Sequence, residues 1–394
     1  MITIEKAKEL IQKQQVNITS KSLAVKEALD YVLSENIYAV MDLPPFPQSA
    51  VDGYAVCFDD VKEVNTFLPV RNEAAAGNTQ YLTLERGTGI RIFTGAPIPE
   101  NANAVVMQEK TQTTDEGIII REFPLREEQN IRPIGDEIKK GEILLPKGLK
   151  LNPASIAVLL SQGILSVKVS EKPTIGILVT GTELVQPGDE LKHGQIYESN
   201  SAAIENALKK FSYHVQNVLK ADDNYTLLVK TLRTLFESNE IVIVSGGISV
   251  GDYDFTGRAF KELGVEEIFY KVNQKPGKPV FFGKRGNTFV FGLPGNPAAA
   301  LVCLYQYVIP LLAKIEGQND CPFPIVYATS EEAIHVKDSR GHFLKAFLKK
   351  GRVCLLGKQG SHMLQTFATS NALIYLPAGK NEVKKGEIVE VHLV

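Results

Sequence analysis

Three short stretches hold the residues with the greatest chemical reach: Val179-Thr180-Gly181-Thr182-Glu183, the run VSGGISVGDYDFTG from Val244 to Gly257, and Leu293-Pro294-Gly295-Asn296-Pro297. Glycines 181, 246, 247 and 295 strip side chains from these stretches, so backbone N–H groups can approach a ligand closely. Pro297 presets a helix whose N-terminal end favours an anion, and Thr180, Ser245, Pro294 and Asn296 complete the walls. A single loop of this kind is ordinarily a tight turn, and none matches the phosphate-loop or dinucleotide consensus. Three of them in one region point instead to a cradle for phosphates. Glu183, Asp222, Asp223, Asp252 and Asp254 stand beside these loops and would repel a bare phosphate. A bridging divalent cation is therefore expected, and Mg²⁺ suits a few carboxylates with ligand oxygens and water. Asp252 or Asp254 could equally cap the helix that follows.

A second cluster has the opposite sign. In YKVNQKPGKPVFFG, Lys271 and Lys275 lie four residues apart, on one face if the segment is extended, and Lys278 follows across the Pro276-Gly277 turn. Three lysines on a rigid turn suit a small oxyanion; a solvated lysine face has the same spacing. DLPPFPQSAVDGYAV sets Ser49, Asp52 and Gly53 in an apolar context where a purposeless buried Asp is costly, although Asp-Gly is also a plain turn signal. Thr94 in FTGAPIP and the pair Asp136-Glu137 belong to the same region.

The elements that must position these groups follow from periodicity. Apolar spacing predicts helices over 4–14 and 23–33, stopped by the prolines between Pro44 and Pro47. From Ala55 to Glu137 short strands alternate with turns and no convincing helix, which reads as a small all-β domain. LNPASIAVLLSQG then carries an N-cap at Asn152, Pro153 at the first helical position and Gly163 past the end. The β domain thus reads as an insertion in a helical platform. From Lys172 strand, loop and helix repeat, with a long helix kinked at Pro310, which argues for a parallel sheet covered by helices. Ligands of such sheets bind beyond the carboxyl ends of the strands, where all three loops fall. Past Cys321 short strands return, as in a barrel or sandwich.

Composition narrows the function. The chain has 394 residues, 44% hydrophobic and 22% charged, enough for several cores. With 43 basic against 45 acidic residues and a net charge of −2, it offers no polycationic face for nucleic acid. Cys57, Cys303, Cys321 and Cys354 form no C-x-x-C pair and read as buried free thiols of a reducing cytoplasm. The N-terminus is amphipathic without an apolar signal core, and no run is counted as approaching the roughly 20 apolar residues of a membrane span, so a soluble cytoplasmic protein is expected.

Taken in order, PPFPQSAVDGYAV, FTGAPIP, NIRPIGDEI, TGTEL, SGGISVGDYDF, KPGKP, GLPGNP and GKQGSHML resemble the MoeA family of molybdopterin molybdenumtransferases, related to the E domain of gephyrin and to its plant counterpart. Eight ordered motifs spread the resemblance over essentially the whole chain. It implies an elongated multidomain α/β plus β fold. A helical platform would span 1–44 with 140–172, an inserted β domain 45–139, a MogA-like α/β molybdopterin-binding domain 173–322 and a C-terminal β barrel 323–394. It also implies insertion of molybdenum from molybdate into adenylylated molybdopterin with Mg²⁺ and release of AMP. The family's working residues fall on Asp52, Thr94, Glu137, Glu183, Asp223 (or Asp222) and Asp254. Mg²⁺ would be held among Glu183, Asp223, Asp252 and Asp254, and molybdate by Lys271, Lys275, Lys345 and Ser361, with Lys278 close by. The active site would be composite in a homodimer, Asp52 and Thr94 meeting the sheet domain of the other subunit.

Three positions depart from the family pattern. The acidic motif reads Asp136-Glu137, an expected arginine is Lys345, which loses the bidentate fork, and Ala298-Ala299-Ala300 stands where some relatives carry a serine. The upstream partner implied is a molybdopterin adenylyltransferase, and downstream are molybdoenzymes or their chaperones, with no nucleic acid and no membrane. Two other readings share the fold: an adenylyltransferase, which would not need the additional β domains, and a non-catalytic gephyrin-like scaffold, which would not need the retained charges.

Overall fold

The computed structural model describes residues 1–77, 79–221, 224–248 and 255–394. The chain forms two compact units: Met1–Ser34, Gly148–Asn152 and Ser166–Val394 in one, Glu35–Lys147 with Pro153–Leu165 in the other.

The first unit is built on a six-stranded sheet in the order Val215–Ala221, Ile175–Thr180, Ile241–Ser245, Thr288–Leu293, Phe281–Arg285, Glu266–Tyr270. The first four run parallel, and Phe281–Arg285 pairs antiparallel with both of its neighbours. Ile241–Ser245 is buried on both faces because alternate side chains enter different cores. Ile241 and Ile243 join Ile204, Leu208 and Phe291 on one side, and Val242 and Val244 join Leu232, Leu235 and Phe260 on the other. Each such side chain stabilises the fold by about 1.5–3 kcal/mol, which holds the carboxyl ends of the strands as fixed points. The helix after Thr288–Leu293 runs from Pro297 to Ile315 and passes through a π-helical turn at Leu304–Val308. That wider turn lies directly before Pro310, whose ring crowds the carbonyl four residues back, so the expected kink appears as a π segment. The helix is long and apolar enough to span a membrane, contrary to the count of apolar runs above, but 89% of its apolar window is buried inside the fold.

Two sequence expectations need correction. The segment 23–33 is not a helix. Ser20–Ala24 is a strand paired antiparallel with Ser166–Ser170, Val25–Glu27 is a 3₁₀ turn, and Asp30 adopts φ +65°. A five-residue ladder with a partner distant in sequence outweighs helical periodicity, and a left-handed residue ends any helix. Among the cysteines, all free, Cys57 and Cys303 are buried as expected, whereas Cys354 is half-buried and Cys321 exposed.

In the C-terminal region Gly341–Lys349, Arg352–Leu355, Ile325–Ser330, Ile388–Leu393 and Ala372–Leu376 follow one another, and the last pairs back to the first, closing a five-stranded barrel. Gln274–Lys275 adds to it in parallel at Gly341 and His342, tying the lysine loop to the barrel.

The second unit carries a sheet in the order Ala104–Met107, Gly53–Val56, Gly89–Ile92, Phe67–Ala74, Gly117–Ile120, Thr111–Thr113. Between Ala55 and Glu137 the described residues hold only strands and 3₁₀ turns, as expected. Gly53 is required by close approach, since a Cβ there would stand 2.0 Å from the Val106 carbonyl oxygen. Gly53→Ala is therefore expected to lose about 3 kcal/mol of stability through overpacking. Gly89→Ala, whose methyl would meet neighbours at 3.7 to 3.9 Å, should stay within about 1 kcal/mol of wild type, both variants being read by urea titration.

Candidate active site

At the carboxyl ends of Ile175–Thr180, Ile241–Ser245 and Thr288–Leu293 lies a cavity of about 860 Å³, the size of a small-molecule site. The structure brings all three sequence-predicted loops to it: Thr180, Gly181 and Glu183; Ser245, Gly246 and Gly247; and Pro294, Gly295, Asn296 and Pro297. Gly246 explains how the loops pack. Its φ is +96° and a Cβ would fall 2.4 Å from the Thr180 carbonyl oxygen, so only glycine lets the second loop close on the first. Its N–H donates to the Leu293 carbonyl at 3.2 Å, joining the third. Pro297 opens its helix as predicted, while the Asn296 amide reaches across to donate to Ser361 Oγ at 3.1 Å. The Ala299 N–H donates to the Ser361 carbonyl at 3.3 Å, so the QGSH turn rests on this loop, and His362 also lines the cavity.

Two lining residues escaped sequence reading. Asn200 donates through Nδ2 to Ser245 Oγ at 2.9 Å and to the Gly295 carbonyl at 2.8 Å. Glu198 is buried and accepts from the N–H and hydroxyl of Ser201. The exposed Glu183 leaves a carboxylate at the first loop, folded back toward Gly181. Asp222, Asp223, Asp252 and Asp254 lie outside the described residues.

The lysines are distributed differently from the expectation of one extended face. Lys271 has φ +66°, which breaks the extension, and its ammonium sits 4.6 Å from the centre of the Tyr270 ring. Lys275 pairs with Asp338 at 3.4 Å. Asp338 also accepts from Arg340 Nε and Nη2, each at 2.9 Å, and lies 3.1 Å from His342 Nε2. The Arg340 hydrogen bonds hold the Asp338 carboxyl well below its usual range, and burial lowers the pKa of His342, so a neutral imidazole donates to the carboxylate. Lys278 is exposed, and the next residue, Pro279, lines the cavity. Gln274, fully buried under this turn, donates to the Pro276 carbonyl at 2.9 Å and accepts from the Tyr307 hydroxyl, which keeps the turn in shape. Lys345 is also buried, and its ammonium is spent on the carbonyls of Gly360 at 3.0 Å and Met363 at 3.2 Å. Burial lowers its pKa, and its visible task is to hold the turn that carries Ser361. Asp338 and Arg340 left no sequence signal beyond the charged run KDSRGH.

In the second unit Asp52 and Thr94 do meet. Asp52 Oδ1 accepts from both the Thr94 N–H and hydroxyl, each at 2.8 Å, and these two bonds hold the carboxyl below its ordinary pKa. Arg91 stands nearby, donating to the Gly53 carbonyl at 3.2 Å. Glu137 is exposed on a separate turn, its N–H donating to the Leu43 carbonyl at 2.9 Å.

Family models cover nearly the whole chain. Residues 2–163 match "MoeA N-terminal region (domain I and II)", residues 176–314 "Probable molybdopterin binding domain", and residues 327–394 "MoeA C-terminal region (domain IV)". Among curated proteins, a molybdopterin molybdenumtransferase of Haemophilus influenzae is 36% identical over 99% of this chain and 98% of its own length. One of Staphylococcus epidermidis is 33% identical over 100% and 95%. Among solved structures, the molybdopterin biosynthesis moeA protein of Pyrococcus horikoshii matches with a TM-score of 0.86 at 30% identity, covering 100% of both chains.

Proposed function

The chain belongs to the MoeA family, and from that membership we propose that it inserts molybdenum from molybdate into adenylylated molybdopterin with release of AMP. It is a transferase of molybdenum cofactor biosynthesis. The observation that carries the finer reading is the convergence of three glycine-bearing loops and the Glu183 carboxylate on one cavity. Backbone N–H groups of these loops suit the phosphate of the pterin, and a cavity of about 860 Å³ has room for it.

The carboxylate that lines the cavity fits Mg²⁺. Glu183 offers a carboxylate, a hard oxygen group; Asp223, Asp252 and Asp254 would add to it. Bound there, Mg²⁺ would neutralise charge on the phosphoanhydride. The chain's own residues do the rest. The loops orient the pterin phosphate. Lys271, Lys275 and Lys278 concentrate a tetrahedral dianion beside it, with Ser361 on the turn that Lys345 supports. Attack of water on the phosphoanhydride would expel AMP, and the dithiol would take up molybdenum as one molybdate oxygen leaves as water with the two dithiol protons.

The protein works in this reading as a homodimer, the Asp52–Thr94 pair and Glu137 of one copy serving the cavity of the other. It receives its substrate from an adenylyltransferase and passes the product to molybdoenzymes or their chaperones. The setting is the cytoplasm, where free thiols such as Cys57 and Cys303 stay reduced.

The direct test is AMP release from purified adenylylated molybdopterin with and without molybdate and Mg²⁺. AMP release that requires both supports the transferase reading. Tight binding of adenylylated molybdopterin without AMP release under any of these conditions overturns it and leaves a binding module.

A further inference from the structure

We infer that Asn200 is a positioning residue that aims the hydroxyl proton of Ser245 at the phosphate-bearing ligand of the cavity; this rests on the proposed reading of that cavity. Asn200 opens the helix Asn200–Lys210 and lies at the cavity wall. Its Nδ2 lies 2.8 Å from the Gly295 carbonyl oxygen. A carbonyl only accepts, so the nitrogen and not the oxygen of the amide must face it. The orientation of the side chain is thereby settled by chemistry. The second hydrogen on Nδ2 then points to Ser245 Oγ at 2.9 Å, which makes that oxygen an acceptor.

Ser245 must therefore send its own proton elsewhere. It is 2% exposed at the end of the strand Ile241–Ser245. Among the described residues its hydroxyl donates to no protein acceptor, and it lines the cavity. A buried hydroxyl proton without an acceptor is unfavourable, so a ligand oxygen is its natural partner. A phosphate oxygen is such an acceptor, and a hydrogen bond to it is charge-assisted. Asn200 is 45 residues from Ser245 and 95 from Gly295 in sequence, so one amide also ties the second loop to the third.

The test is a double-mutant cycle on the full-length protein. Dissociation constants for metal-free molybdopterin and KM for adenylylated molybdopterin are measured for wild type, Asn200→Ala, Ser245→Ala and the double variant. If Asn200 acts through Ser245, each single change weakens both constants about 10- to 30-fold, as loss of a charge-assisted bond does. The double variant is then no worse than about twofold beyond the weaker single one, and kcat stays within about threefold. Asn200→Asp, nearly isosteric but unable to donate, should be at least as impaired as Asn200→Ala. Multiplicative losses in the double variant, or wild-type binding by Asn200→Asp, overturn the role of Asn200. Circular dichroism melting checks that each variant folds. A wild type that binds molybdopterin yet releases no AMP sinks the transferase reading alone, because the binding arm of the cycle remains readable.

Discussion

Glu183→Gln is expected to lower molybdate-dependent AMP release by about 100-fold or more, in line with removal of one group that stabilises charge at a reacting centre. The residue is exposed on the first loop, so the fold should not notice the change, and the melting temperature should move by less than about 2 °C. Removing a negative charge from a site for phosphate should leave affinity for metal-free molybdopterin unchanged or slightly stronger. A structural defect would weaken it. The combination of collapsed turnover, intact folding and intact binding is therefore the signature of a carboxylate used for the metal. Turnover within about threefold of wild type would remove Glu183 from the chemistry.

Asp52→Asn is expected to have an effect of similar size from the other unit. The substitution keeps an acceptor oxygen for the two Thr94 bonds and removes only the charge, so AMP release should fall about 100-fold with the turn intact. Mixing then tests where the site is assembled. Asp52→Asn and Glu183→Gln proteins, each inactive alone, are unfolded together and refolded. Random pairing makes about half of the dimers mixed, each with one intact composite site of two, so about a quarter of wild-type activity should return. No recovery would mean that Asp52 and Glu183 do not serve a site shared between copies. Thr94→Val supplies the electrostatic control. The Thr94 N–H and hydroxyl depress the Asp52 carboxyl pKa, in that order, so losing the hydroxyl raises it part of the way back. A depressed carboxyl contributes stability above its unfolded pKa and loses it as pH falls through the folded one. In Thr94→Val the folded pKa lies higher, so that loss should be smaller and complete at a higher pH, and a carbon NMR titration of the Asp52 carboxyl would read the folded pKa directly.

The sequence by itself determined the parts of this protein whose signals are local. Glycine and proline punctuation marked the three phosphate-type loops, because close backbone approach and a preset helix start require those residues at those positions. Unbroken β-branched runs such as Ile241–Ser245 marked a sheet buried on both faces, and regular turns marked the inserted β domain and the barrel. Asp52 and Thr94 were both legible as isolated oddities within their motifs.

Only the tertiary structure decided what those signals meet. Whether 23–33 is helix or strand depended on Ser166–Ser170, a partner that periodicity cannot see. Lys345 kept the charge of an oxyanion ligand in sequence, but the fold buries it and spends its ammonium on Gly360 and Met363. Asn200 acquired a task only when folding brought Ser245 and Gly295 to its amide, and Asp338 only when Lys275, Arg340 and His342 converged on it. The physical reason is common to these cases. A backbone conformation is chosen largely by residues a few positions apart, whereas a polar side chain takes its role from whichever partner satisfies it once water is excluded, and that partner is supplied by the fold.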